Sequence, residues 1–319
     1  MTDPAILSIA KELAEGLHTS RTVNYAHLSG FIIVLLRQYF DWILTFDSEV
    51  RLIWSVEGVK MKVLYSLTRY LPLAYFPLFL NYRLITGHSE SECNALYQAV
   101  GLMFTIGAIC AALIVTIRTW AVWGKAKYMT YLLFGTYTVA SVLILVFFIL
   151  SVEYTTRVFY SVLLHTATEM QNHSAADPVF KEFALGCNPK FETPYLPAAF
   201  VVEAVYDTAI LLLMLIRGAS LFRQGVDSRL FRTIYSDGIL FYVYISVISI
   251  TNFGFLFSRG RYESFLLMFQ GGARSIFACR IVLGIREQYE KLQAKGPLNI
   301  RNDYVAPHFE TRGMESEEV

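Results

Sequence analysis

Apolar positions in this chain run in long unbroken stretches rather than alternating with polar ones. Ala95 to Ile117 is a run of 23 residues without Asp, Glu, Lys or Arg, Tyr128 to Val152 a run of 25, and Ile239 to Phe257 a run of 19. A helix needs about 20 residues to cross a hydrocarbon core about 30 Å thick. Four further segments reach that length with charges inside. Leu28 to Phe46 holds Arg37 and Asp41, Val63 to Tyr82 holds Arg69, Tyr195 to Ile216 holds Glu203 and Asp207, and Tyr262 to Gly284 holds Glu263, Arg274 and Arg280. A charge at mid-span costs about 2.5–3.5 kcal/mol, and each apolar neighbour offsets about 0.3–0.6 kcal/mol, so such segments still insert. The pattern predicts an all-α, polytopic transmembrane bundle of seven helices, over about 28–46, 63–82, 95–117, 128–152, 195–216, 239–257 and 262–284. Barrel strands would show alternation, and Val142 to Leu150 (VLILVFFIL) shows none. Inside lipid, a helix pairs its backbone groups within one segment.

Composition agrees with this pattern. Hydrophobic residues make up 55% of the 319 and charged residues only 17%, below the quarter or so usual in soluble domains. The 27 Lys and Arg nearly cancel the 26 Asp and Glu, which argues against a nucleic-acid partner. Four Cys are too few for a disulfide scaffold in a chain this long. The expected partner is the lipid bilayer of the plasma membrane or a secretory-pathway membrane, crossed several times.

Basic residues orient the bundle. The loops after spans one, three and five and the C-terminal tail hold 3, 3, 4 and 5 Lys and Arg, against 8 on the opposite side. Positive charge collects in the cytoplasm, so the N-terminus is expected outside and the C-terminus inside. Residues 1–27 then form an extracytoplasmic segment, 28–284 the transmembrane domain, and 285–319 a cytoplasmic amphipathic helix and disordered tail. The N-terminal segment does not read as a secretory signal, because Lys11, Glu12 and Glu15 interrupt its apolar positions. Residues 4–15 read as a short outer surface helix. Ile285, Tyr289 and Leu292 recur at helical spacing, predicting a helix on the inner membrane surface. Asn172-His173-Ser174 is a glycosylation acceptor triplet on the predicted outer side. Cys93 and Cys187 fall on that side too; a disulfide between them is expected, the alternative being two unpaired thiols. The connection from Glu153 to Pro194 is too short for an independent domain and reads as an ordered cap or a floppy loop.

Charges at membrane depth are the default functional candidates. Asp41 and Arg69 sit at nearly level depths on consecutive spans, and an architectural ion pair is expected between them. Glu203 and Asp207 are four residues apart and share a helix face. Two carboxylates so placed call for a cation: Arg274, with Arg37 as competitor. Two readings are open, a ligand pocket lined by Glu203, Asp207, Asn252, Gln270 and Arg274, or an interhelical latch without ligand. Gly271, Gly272 and Ala273 precede Arg274 and permit close approach.

Familiar site chemistries find little here. No Lys lies between Tyr262 and Gly284 to hold retinal, the six His sit in loops, tails or at a span edge, and no HExxH, GxSxG or phosphate-cradling Gly loop occurs. No catalytic residue, metal site or cofactor is assigned, although Glu203 alone could act as an acid or base. Seven spans, an outer N-terminus and the placement of Cys93 and Cys187 resemble G-protein-coupled receptors. Against that, Ile117-Arg118-Thr119 lacks the receptor motif's acidic residue, and span seven has no Asn-Pro-x-x-Tyr.

Another resemblance is carried by motif. Phe40-Asp41-Trp42-Ile43-Leu44-Thr45-Phe46-Asp47-Ser48-Glu49-Val50, with Ile53-Trp54, Lys62-Val63-Leu64-Tyr65 and Arg69-Tyr70-Leu71-Pro72, resembles the opening signature of a large group of membrane proteins of mushroom-forming fungi, which carry a domain of unknown function. Tyr235 to Tyr242 and Ser275 to Glu287 resemble that group's sixth and seventh spans. The group often has Tyr where this chain has Phe40 and a basic residue where it has Ser236. The resemblance runs over roughly residues 30–290 and implies a seven-helix architecture with no established activity. The resulting expectation is a receptor-like or sensory membrane protein without enzymatic activity, with a small-molecule ligand and a cytoplasmic signalling partner. A small-solute transporter or channel is the alternative, and an intramembrane lipid-modifying enzyme the third reading.

Overall fold

The computed structural model describes residues 29–55, 58–85, 89–170, 195–223, 229–257 and 263–294. They form seven helices and no strand: α1 (Ser29–Trp54), α2 (Val59–Leu84), α3 (Glu90–Val122), α4 (Lys127–Met170), α5 (Tyr195–Arg223), α6 (Arg229–Phe257) and α7 (Glu263–Ala294). The protein is an all-α bundle. Among the described residues, four helices, α1, α3, α4 and α5, are long and apolar enough to cross a membrane, and the chain is a multi-pass membrane protein.

Exposure follows the same logic. The apolar window of α4 has a mean hydropathy of 2.4, yet only 6% of it is buried inside the bundle. Ile33, Leu36 and Ile43 on α1, Val205 on α5, and Val247 and Ile250 on α6 also point outward. A soluble protein rarely exposes so much contiguous apolar surface. The interior, in contrast, holds Asp41, Glu49, Arg69, Glu203, Asp207 and Arg274, each less than 10% exposed. Apolar outside and polar within is the arrangement that lipid as solvent selects.

Helix α3 is the hub, packing against α2, α4, α5 and α7; α7 also meets α2, α6 and the end of α1. Its start is set by a capping box. The Ser89 side chain accepts from the Glu92 backbone N–H (3.3 Å), and Glu92 Oε2 accepts from the Ser89 N–H (2.8 Å). Helix α1 ends in a π-turn, Val50–Trp54, whose Leu52 and Ile53 are buried against Tyr65, Ile114 and Val282.

Helix α2 contains Pro72 and Pro77. Each lacks an N–H, so the carbonyls four residues earlier, on Thr68 and Leu73, lose their helical donors. Neighbouring helices supply replacements. Ser275 Oγ on α7 donates to the Thr68 carbonyl at 2.7 Å, and Tyr39 Oη on α1 donates to the Leu73 carbonyl at 3.2 Å. Gln38 Nε2 in turn donates to Ser275 Oγ at 3.3 Å. In hydrocarbon, where water cannot serve, such substitutes are what make a proline tolerable.

Two expectations about boundaries change. The helices outrun the hydropathy windows, most of all α4, whose 44 residues come to about 66 Å at 1.5 Å each. The first part of the connection expected to begin at Glu153 is therefore a continuation of α4 as far as Met170. Hydropathy marks only the slice that meets lipid; helix propensity carries the backbone beyond it. Likewise the segment after Gly284 is no separate surface helix. It forms the last turns of α7, held by Arg286 Nη1 donating to the Leu52 carbonyl (2.9 Å). The N-terminal segment 1–27, Asn172 and the polar tail lie outside the described residues.

Candidate functional site

Two buried ion clusters organise the interior. The first lies toward the end where α1 passes into α2. Arg69 Nη1 stands 3.2 Å from Asp41 Oδ2, and Arg69 Nε stands 3.4 Å from Glu49 Oε2. Arg69 also donates to the Asp41 and Trp42 carbonyls and to Thr45 Oγ1. Arg280 on α7 closes the cluster, with Nη2 at 2.7 Å from Asp41 Oδ1. Glu49 is wholly buried and accepts from Tyr70 Oη (2.6 Å) and Trp54 Nε1 (3.1 Å). Two carboxylates thus meet two guanidinium groups across α1, α2 and α7.

The second cluster joins α5, α6 and α7. Arg274 Nη1 lies 2.6 Å from Glu203 Oε1, and its Nη2 lies 2.5 Å from Asp207 Oδ2. Ser249 Oγ donates to the same Asp207 oxygen at 2.7 Å. Gln270 Nε2 donates to Glu203 Oε2 (3.2 Å) and Ser249 Oγ (3.0 Å), and its Oε1 accepts from Asn252 Nδ2. All five residues named from the sequence therefore sit in one network, with Ser249 as a sixth member. Arg37 is exposed on α1 and takes no part. A serine in a span is unremarkable by composition, and only its register with Asp207 distinguishes Ser249. Glu49 lies past the hydropathy window of its span, so the sequence signals no role for it.

The glycines before Arg274 let α7 approach its neighbours. A Cβ on Gly271 would collide with the Phe104 ring and come within 2.8 Å of Tyr75 Oη; one on Gly272 would stand 3.1 Å from Phe76 Cζ.

Beside the second cluster is a cavity of about 120 Å³. Its walls come from α2, α3, α4, α5 and α7 and include the rings of Phe79, Tyr82, Tyr97, Phe104, Phe148 and Phe200. The carboxylate-bearing Glu203 and the hydroxyl-bearing Thr105 interrupt this aromatic lining. The rings brace one another, Phe104 standing edge-on to Phe200 (6.3 Å) and to Tyr75 (5.7 Å). The cavity lies toward the end of the bundle that carries Cys93, opposite the first cluster. On the other side of Asp207 and Arg274 is a void of about 10 Å³, lined also by Val115, Ile210 and Tyr242.

Cys93 is disulfide-bonded, whereas Cys110 and Cys279 are free; Cys187 lies outside the described residues. Among the described residues, no three His, Cys, Asp or Glu side chains gather as metal ligands.

A family of unknown function, DUF6533, matches residues 25–74. No curated protein and no solved structure matches the chain. The matched segment spans α1 and the first half of α2, so it holds Asp41, Glu49 and Arg69 of the first cluster and none of the second. Its description assigns no activity.

Proposed function

We propose that this is a receptor-like membrane protein, crossing the bilayer seven times, which binds a small molecule in the aromatic cavity. One observation carries the reading: Glu203 belongs both to the cavity wall and to the ion network joining α5, α6 and α7. A molecule in the cavity touches that network directly, which gives binding a route to helix arrangement. Pockets of this kind, mostly apolar with a few convergent polar groups, are the usual form of small-molecule sites.

The N-terminus is placed outside and the C-terminus in the cytoplasm. The distribution of Lys and Arg supports this, as does the disulfide at Cys93, since such bonds form on the oxidising side. The cavity is then on the outer half, and the last turns of α7 offer a cytoplasmic partner surface. Spans α2 and α7 are counted as crossings although less apolar, because their polar groups pair inside the bundle, and α6 because Ile239 to Phe257 is 19 residues without a charge. The resemblance of residues 235–242 and 275–287 to fungal seven-helix proteins extends the relation beyond the matched segment.

The test is reconstitution of the full chain in nanodiscs and in liposomes, with a panel of small molecules. Thermal stabilisation by a panel member without solute flux is the expected result. Flux abolished by Asp207→Asn would assign a transporter instead, and product formation from a lipid would assign an enzyme.

A further inference from the structure

The second cluster counts two carboxylates, Glu203 and Asp207, against one guanidinium, Arg274. The first cluster counts two against two, with Asp41 and Glu49 facing Arg69 and Arg280. Counted by formal charge, the same interior thus contains one balanced site and one that is a positive charge short. The second is the one beside the aromatic cavity.

The cavity's own lining says which chemistry fits. Its described walls contain no Lys, Arg or His and one carboxylate, so no cation in the lining balances an anion. Six aromatic rings surround the space, and ring faces attract cations. Arg83 illustrates this nearby, its guanidinium carbon 5.8 Å from the centre of the Phe79 ring. Size sets a further limit. The cavity measures about 120 Å³, and an apolar protein cavity of about 150 Å³ takes up a benzene. Room therefore exists for a group about the size of one aromatic ring. Glu203 keeps acceptor capacity as well: its oxygens accept from Arg274 and Gln270, and a carboxylate has about four lone-pair sites.

Resting on the ligand-binding reading above, we infer that the molecule the cavity takes is an arylalkylamine-type cation, its ring among Phe104, Phe148 and Phe200 and its ammonium on Glu203. Binding then brings the cluster to two positive and two negative groups. The ammonium competes with Arg274 for Glu203 Oε1 and leaves Arg274 more firmly on Asp207, one helical turn further along α5. No bond is made or broken; the change is one of ion pairing between α5 and α7.

The experiment uses the full chain in nanodiscs at pH 7 with three ring-sized probes: benzylamine, benzyl alcohol and benzoate. Affinities are read by calorimetry. The amine is expected to bind at least tenfold more tightly than the alcohol, with the benzoate weakest. Glu203→Gln should bring the amine down to the level of the alcohol. Ala108→Phe, which fills the cavity from α3, should abolish both. If wild-type protein binds alcohol and amine equally, the carboxylate does not read charge, and this inference falls while the cavity reading stands. Binding of the amine that survives Ala108→Phe undiminished places it elsewhere and also overturns the inference. If no probe binds at all, both readings fall. The wild-type amine-to-alcohol ratio decides the matter even where Glu203→Gln does not accumulate as folded protein.

Discussion

The two ion clusters are built from the same parts and differ in what surrounds them. In the first, Arg69 is held by two side-chain carboxylates, two backbone carbonyls and a threonine hydroxyl, and Arg280 covers the remaining face of Asp41. Its acids and bases balance, and tyrosine and tryptophan donors serve Glu49 Oε1 while Oε2 faces Arg69 Nε at 3.4 Å. In the second, one guanidinium serves two carboxylates, and amides and hydroxyls make up part of the difference. A buried ion cluster with balanced charge belongs to architecture, because removing either partner strands a charge in low dielectric. A cluster with excess charge beside a cavity is poised to take up something. The contrast between closed and open charge balance is the physical core of the functional reading.

The largest effect is expected where the closed cluster is broken. Arg69→Ala strands Glu49 with no cation in contact and leaves Asp41 with Arg280 alone. Breaking a buried pair costs about 3–5 kcal/mol, so this variant should fail to accumulate or should unfold far below the wild type. Thermal unfolding in detergent micelles, scored by loss of monodisperse protein, is the measurement. An Arg69→Ala protein as stable as the parent would remove the architectural assignment. Asp41→Asn should follow, costing about 2–3 kcal/mol, in the range of charge-assisted hydrogen bonds lost to a buried partner. Its effect should exceed that of Arg280→Gln, since Arg280 is 41% exposed and can reach solvent or headgroups.

How much of this was legible in the sequence depends on the range of the information. Helix positions could be read because long apolar runs impose a length and a composition on each helix separately. The Asp41–Arg69 contact was foreseeable from depth on two consecutive helices. Arg280 could be seen inside span seven, but its place on Asp41 could not, because 239 residues separate them. Glu203, Asp207, Asn252, Gln270 and Arg274 could be collected as polar groups at depth, whereas whether they formed a cavity or a latch was open. The structure shows an ion-paired network with an aromatic cavity at its side, and of the five residues Glu203 alone lines that cavity. The walls come from five helices whose rotations no single helix encodes. The proline carbonyls illustrate the same limit. A reader of the sequence knows that the Thr68 and Leu73 carbonyls need donors, but only the packing of α7 and α1 reveals Ser275 and Tyr39.

Of middle size is the effect of closing the gap that brings Arg274 into place. Gly271→Ala drives a methyl into the Phe104 ring and toward Tyr75 Oη. Overpacking costs about 1–3 kcal/mol, so a moderate fall in unfolding temperature is expected. Because Phe104 also lines the cavity, the same variant should weaken ligand stabilisation by more than its thermal cost alone. Gly284→Ala, whose added methyl meets nothing within 4 Å, should raise stability slightly, by about 0.5–1 kcal/mol of helix propensity, and leave ligand stabilisation unchanged; it serves as the control.

The smallest expected effect is the most informative, because it pits charge balance against contact counting. Asp207→Asn removes an ion pair at 2.5 Å, which on contacts alone should cost as much as any substitution in the bundle. On the charge-balance argument it leaves Glu203 and Arg274 as a matched pair, and the asparagine amide keeps an oxygen to accept from Ser249 and Arg274. One fewer carboxylate then has to be held out of water, and that relief offsets the lost attraction. The net change should lie within about 1 kcal/mol of zero, against a clear loss for the chemically identical Asp41→Asn. Unfolding temperatures of the two asparagine variants, measured side by side, carry the comparison. Equal losses would mean that the clusters do not differ in kind, and the case for a charge-seeking cavity would go with that difference.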